Sequence, residues 1–256
     1  MRRLHLFEFE DQSWLPDTLR NLQTDFLRQM SAFLHLYEPT VPLIRRVMEQ
    51  TGARRIIDLC SGAGGPWGEL LKNGWRVTVT LTDRYPNLAA FASMQASCPE
   101  RLDYRAEPID ARQIPAELDG MRILFNSFHH FRPDEARAIL ADAVARRAPI
   151  GIFEVAELTT GKLLAVFSVP LLALAAAPFG RPLSFSRIFW SWCVPLVPVC
   201  LLWDGLVSLL RAYTPAELAE LATAAGNDDF RWEVGRIVPP WPGIPVTYLV
   251  GFPRSP

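Results

Sequence analysis

The stretch Arg55-Ile-Ile-Asp-Leu-Cys-Ser-Gly-Ala-Gly-Gly-Pro66 constrains this chain more than any other. Ile56 and Ile57 begin a short apolar run that stops at Asp58. A loop of small residues follows, and Trp67 to Leu71 reads as the start of a helix. A strand that turns through glycine into a helix presents free backbone N–H groups, where an anionic or polar ligand can meet them. Glycine at 62, 64 and 65 lets the main chain take positive φ and lets a ligand approach it closely.

The flanking pattern supplies the rest of an α/β domain. Apolar residues at Leu15, Leu19, Leu22, Phe26, Met30, Phe33 and Leu34 predict a helix over 14–34. A second helix runs from Pro42 to about Gln50 and stops at Gly52. Residues 1–53 thus form a helical preface. The helix after the glycine loop is expected to end at Asn73-Gly74. Strands are predicted over 54–59, 75–81, 102–107, 121–127 and 150–155, with helices opened by Pro86 and by Pro133-Asp-Glu. This alternation predicts an open, mostly parallel sheet with helices on both faces. Thr214-Pro-Ala-Glu217 is a helix start, with Thr as N-cap and Glu three residues on. Strands over 230–238 and 245–252 read as an antiparallel pair closing a sheet edge.

One segment breaks the pattern. Residues 163–180 and 188–203 carry no charge. A membrane-spanning helix needs about 20 apolar residues without interruption. Here Pro170, Pro178, Pro195 and Pro198 interrupt the runs, so two straight spanning helices are disfavoured. Three accounts stay open: a lid packed on the domain, a hairpin dipping into a membrane surface, or a contact with a second copy. In the second, Trp190, Trp192 and Trp203 lie at the interface and Arg181 and Arg187 at the turn.

Bulk properties narrow the function. A formal net charge of −1 and scattered basic residues argue against nucleic acid. Cysteines 60, 98, 193 and 200 form no C-x-x-C, so neither a disulfide framework nor a zinc site is expected, and no metal is assigned. Glu8, Glu10 and Asp11 stand where a signal peptide keeps its apolar core. A cytoplasmic protein is expected, membrane-associated if the insertion meets lipid.

The loop also selects among ligands. A dinucleotide turn wants G-x-G-x-x-G, and Trp67 stands where its last glycine belongs. No Gly-Lys-Ser/Thr follows for a triphosphate. Asp58-Leu-Cys-Ser-Gly62-Ala-Gly64 instead resembles motif I (D-x-G-x-G-x-G) of class I S-adenosylmethionine-dependent methyltransferases, with Cys60 in place of the first glycine. Phe125-Asn-Ser-Phe-His-His-Phe131 resembles the fourth-strand segment of the small-molecule members, and Ile152-Phe-Glu154 their fifth strand. The segment ending Trp203-Asp-Gly-Leu-Val-Ser-Leu-Leu-Arg211 loosely resembles that of the quinone C-methyltransferases. The resemblance covers about 50–160 and 214–252. The Pro-Cys nucleophile of cytosine-C5 enzymes and the N-P-P-Y of amino-methylating DNA enzymes are missing.

The resemblance implies a Rossmann-like, mostly parallel sheet of about seven strands, the last antiparallel. It implies a methyltransferase domain over 54–160 and 212–256, interrupted by the insertion 161–211. The implied cofactor is S-adenosylmethionine. It would be held by Asp58, Cys60, Ser61, Gly62, Gly64 and Gly65 of the loop, by Asp83 on the ribose hydroxyls with Arg84 beside it, by Asp110 and Ala111 at the adenine, and by Asn126. Asp58 has a second reading as a cap of the turn, and Cys60 as a small packed residue. His129, His130, Glu154 and Glu157 close strands four and five and are the candidate bases. Phe128, Trp203, Asp204 and Arg211 are the candidates for acceptor contact, although Asp204 and Arg211 could simply pair with each other. The acceptor is expected to be small and apolar, with a homodimer open as a further partner. Two rival readings are a non-catalytic module that binds the cofactor and anchors at a membrane, and, weakest, a nicotinamide-dependent oxidoreductase.

Overall fold

The computed structural model describes residues 3–72, 75–180, 184–226 and 229–254. The expected helix end at Asn73-Gly74 and the expected interfacial Arg181 lie outside the described residues. Seven strands form one sheet: β1 (Arg55–Leu59), β2 (Thr78–Leu81), β3 (Leu102–Tyr104), β4 (Met121–Phe125), β5 (Ile150–Glu154), β6 (Phe230–Ile237) and β7 (Val246–Pro253). Their order is β3-β2-β1-β4-β5-β7-β6. The first five pair in parallel, whereas β7 pairs antiparallel with both β5 and β6. Connections leave β1 towards β2 on one side and reach β4 on the other. That reversal opens a crevice at the carboxyl ends of the strands.

Alternation along the strands divides the core into two layers. Ile56, Ile123, Phe125 and Phe153 face one layer with Trp67 and Phe91. Ile57, Leu124, Ile150 and Ile152 face the other, packing on α5 (Pro133–Ala145) and α10 (Pro215–Ala225). β4 and β5 are buried along their whole length, which is why Met-Arg-Ile-Leu-Phe and Ile-Gly-Ile-Phe-Glu read as near-continuous apolar runs. Thr214 caps α10 by accepting from the Glu217 N–H at 3.2 Å, and the Glu217 carboxylate accepts from the Thr214 N–H at 2.8 Å.

Several elements are shorter than their sequence pattern. α3 (Trp67–Leu70) is a single turn, because the Lys72 N–H donates to the Glu69 carbonyl three residues back and tightens the chain out of the helix. β2 starts at Thr78, although Trp75 and Val77 are buried in the core beside it. β4 stops at Phe125 because Asn126 takes a φ of 46°.

The preface comprises α1 (Asp17–Phe33) and α2 (Val41–Thr51), the latter closed by Gly52 at φ 70°. The insertion folds as α6 (Thr160–Val166), α7 (Val169–Ala176), α8 (Phe185–Ile188), a π turn over Phe189–Cys193 and α9 (Leu196–Arg211). Its prolines sit at helix starts: Pro170 opens α7, and Pro195 precedes α9. No single described helix is long and apolar enough to cross a membrane, and the two apolar pairs are bent by 42° and 72°. The insertion packs on α1, where Leu15, Leu19 and Phe26 meet Ala173, Val197 and Leu201 in a third, separate cluster.

Candidate active site

The glycine loop is sewn to the end of β2. The Ser61 N–H donates to the Thr82 carbonyl at 2.9 Å, and the Ser61 and Thr82 hydroxyls both donate to the Asp58 carbonyl, at 3.0 and 2.8 Å. Gly64, at φ 102°, must be glycine for a second reason: a Cβ there would overlap the Met94 sulfur on α4 (Leu88–Ser97). The Gly62 N–H donates to Asp83 Oδ2 at 2.7 Å and the Tyr85 N–H to Oδ1 at 2.8 Å. Two backbone donors thus fix the Asp83 carboxylate in one orientation, and burial raises it above the ordinary range.

A cavity of ≈ 490 Å³ opens over this crevice. It is lined by Cys60, Ser61, Gly62 and Gly65 of the loop, by Asp83 and Arg84, and by Asp110 and Ala111. Apolar side chains of Leu27, Met30, Leu36, Tyr37, Phe125 and Val155 share the lining. Asn126 and His130 line it as well. The Asn126 Oδ1 also accepts from the Val155 and Ala156 N–H groups at 3.1 and 3.0 Å, tying the end of β4 to that of β5.

Two expected cofactor residues do not reach this cavity. Asp58 lies beneath the loop, fully buried, and burial pushes its carboxyl up to about 7. Gly64 turns against Met94. Asp110 is on the wall, but the Arg112 guanidinium holds both its oxygens and keeps it below the ordinary carboxylate range. Of the four candidate bases, His130 alone lines the cavity. His129 and Glu154 are buried behind it: His129 Nδ1 meets Glu154 Oε2 at 2.6 Å, and Glu154 Oε1 accepts from the Phe128 N–H at 2.7 Å. Glu157 pairs with Lys162 at 3.3 Å and with Arg236, away from the cavity.

The acceptor contacts expected from the insertion are corrected by the structure. Phe128 is core, packed on Phe131 and Tyr213. Trp203, Asp204 and Arg211 hold down the N-terminal segment instead. The Trp203 indole donates to the Phe7 carbonyl at 2.9 Å, and Asp204 accepts from the N–H groups of Phe9 and Glu10 at 2.7 and 3.2 Å. Arg211 donates to the Leu6 carbonyl at 2.7 Å and to Asp11 Oδ2 at 2.6 Å. Asp204 and Arg211 therefore do not pair with each other; each clips the same strap.

The strap and α1 roof the cavity. Glu10 and Asp11 line it from the strap, and Arg20, Thr24, Leu27 and Ser31 from one face of α1. Asp11 Oδ1 lies 2.8 Å from His130 Nδ1. Burial would lower the His130 imidazole, but Glu8 and Asp11 outweigh it and push it up to about 10. The roof residues were missed in the sequence. Their signal was the second face of α1, where positions 20, 24, 27 and 31 recur at helical spacing opposite the apolar stripe.

The sheet order, with a β7 antiparallel to an otherwise parallel β1–β5 and the cavity at the glycine loop, decides the fold. The fold is that of the class I methyltransferases. The methyltransferase fold recurs in solved structures of low sequence identity. An O-methyltransferase family protein from Burkholderia thailandensis matches 88% of this chain at TM-score 0.50 and 18% identity. The S-adenosylmethionine-dependent methyltransferase SibL matches 90% at TM-score 0.53 and 19% identity. The chain spans 58% of the length of each of those two proteins. The plantazolicin methyltransferase BpumL, solved with S-adenosylhomocysteine, matches 93% of this chain and 88% of its own at TM-score 0.53 and 13% identity. No protein-family model and no curated protein sequence matches.

Proposed function

We propose that the protein transfers a methyl group from S-adenosylmethionine to an oxygen of a small, apolar acceptor. One observation carries this reading: a single cavity joins the glycine loop and a fixed Asp83 carboxylate to an apolar wall of Leu27, Met30, Tyr37, Phe125 and Val155. The donor set fits the cofactor. Asp83 keeps lone pairs for two ribose hydroxyls after accepting from Gly62 and Tyr85. When bound, the cofactor supplies a sulfonium whose methyl is already electrophilic. The protein's task is then alignment in a dry cavity. The loop and Asp83 hold the donor, and the apolar wall excludes water and seats the acceptor. Oxygen is chosen because the neighbours from Burkholderia thailandensis and Nostoc punctiforme carry the O-methyltransferase name.

The same reading extends to where the acceptor comes from. Leu164, Phe167, Leu171, Phe179, Phe185 and Trp192 of the insertion are each exposed, all but Phe185 within its two uncharged runs. Such a face suits shallow insertion into a lipid surface, beside a cavity that takes apolar molecules.

Calorimetry with S-adenosylmethionine and S-adenosylhomocysteine tests the core of the proposal. Binding is expected with both, weakened at least tenfold in Asp83→Asn. No binding at millimolar concentration defeats it. Binding without product across a panel of phenolic and other apolar acceptors favours the non-catalytic module instead.

A further inference from the structure

At one wall of the cavity, the strap and the end of β4 bring together a cluster that the donor and acceptor contacts above do not use. Glu8 is 1% exposed, and its carboxylate sits between two histidines. Glu8 Oε2 is 3.3 Å from His130 Nδ1, and Glu8 Oε1 is 4.0 Å from His129 Nε2. The Asp11 carboxylate is 2.8 Å from the same His130 nitrogen. The ligand atoms of Glu8, His129 and His130 all lie within 4.8 Å of one another.

We propose that Glu8, His129 and His130, with Asp11 as a fourth ligand, bind a divalent first-row transition metal ion, with zinc as the reference ion. The ligand types are right: two imidazoles and two carboxylates suit zinc, iron or manganese. The spacing is right too, since donors about 2.1 Å from a tetrahedral ion stand roughly 3.4 Å apart. A second observation points to a cation. Glu154 accepts from the Phe128 N–H and meets His129 Nδ1 at 2.6 Å, so Nδ1 carries the proton. Nε2 of the same ring faces Glu8 Oε1 at 4.0 Å, beyond hydrogen-bond reach, leaving a gap that an ion ligated by both would bridge. Glu8 Oε1 also pairs with the Arg211 guanidinium at 3.3 Å, and a bound ion competes with that contact. The carboxylate–histidine pair behind the ligand is also how proteins orient a metal-binding imidazole. Five carboxyl groups, Glu8, Glu10, Asp11, Glu154 and Asp204, gather here against His130 and the Arg211 guanidinium, and a bound ion takes the place of the proton that His130 shares with Asp11. This departs from the expectation of no zinc site and no metal, which rested on the cysteine pattern and not on histidines and carboxylates.

The site stands apart from the donor reading, so the test needs no methyl transfer. The full chain is stripped with a chelator, dialysed and titrated with Zn(II) against a competing indicator, with Co(II) as a spectroscopic probe. One equivalent should bind with submicromolar affinity, and Co(II) should show visible bands of a low-symmetry site. Glu8→Gln and His130→Asn should each weaken binding at least a hundredfold. Glu154→Gln should weaken it about 10–100-fold through the His129 ring. His35→Gln is the control. It removes a second His/carboxylate group among the described residues, the exposed His35 with half-buried Glu38 and Glu69, and should change nothing. Failure of the folded wild-type protein to bind one equivalent overturns the proposal. So does binding that survives Glu8→Gln and His130→Asn but disappears in His35→Gln. Circular dichroism melts of each variant separate lost binding from lost folding, and wild-type titration stands without any variant.

Discussion

At the scale of single residues, Asp58 and Gly64 carry the sharpest expectations. Burial holds the Asp58 carboxyl at about 7 in the folded chain, against an ordinary 3.8. Between those values the folded state keeps a proton that the unfolded state has released. Stability therefore falls as pH rises from about 4 through 7 and levels off above, by on the order of 4 kcal/mol from this group. Urea unfolding across pH 4–9 should show that slope, with Glu10 and Asp204, raised by burial to about 8 and 7, adding to it, and Asp58→Asn should reduce it. Gly64→Ala should cost about 2–4 kcal/mol, since it adds both a left-handed strain and an overlap with Met94. A midpoint within error of the wild type would contradict this account. These two residues also mark what the sequence revealed and what it hid. Motif spacing located the loop, but not that Asp58 would sit under it or Gly64 turn from the ligand. Those outcomes depend on Met94, which approaches from α4, and on the way Trp67 packs under the loop that it follows.

Elements tell a similar story. Period-2 and period-3.6 patterns located every strand and the main helices outside the insertion. They overran at α3 and β4, where a tightened turn and a left-handed Asn126 end the element. Three residues at the end of the insertion took other partners than expected, for a different reason. Asp204, Arg211 and Trp203 look like ligand contacts in sequence because polar groups beside an apolar run need partners. Their partners are backbone groups about two hundred residues earlier, and no local pattern shows that. α1 is the acceptor-side element the sequence undervalued. The Thr24 methyl would lie 3.3 Å from a Cβ on Gly62, so this helix rests on the glycine loop itself. Thr24→Phe should push into the donor end and weaken S-adenosylmethionine binding at least tenfold, about 1.4 kcal/mol, with an unchanged melting temperature. Calorimetry beside a thermal melt checks both halves.

For the molecule as a whole, the apolar faces are unevenly shared. Two core layers serve the sheet, and the third cluster joins α1 to the insertion. The outer side of the insertion leaves Phe179 81% and Phe185 84% exposed. Flotation with phosphatidylcholine–phosphatidylglycerol vesicles should carry the full chain upward, and Leu171→Glu with Phe185→Glu should leave it at the bottom. Sedimentation as a dimer, with no flotation, would assign that face to a second copy.

The two faces of α1 carry a thermodynamic consequence. Leu19 and Phe26 belong to the cluster with the insertion, while Arg20, Thr24 and Leu27 belong to the cavity wall. Whatever displaces this helix from one side is felt on the other. If occupancy of the cavity changes affinity for a surface by some factor, that surface changes affinity for the occupant by the same factor. Vesicle partitioning measured with and without S-adenosylhomocysteine, and S-adenosylhomocysteine binding measured with and without vesicles, must then yield one coupling constant between them.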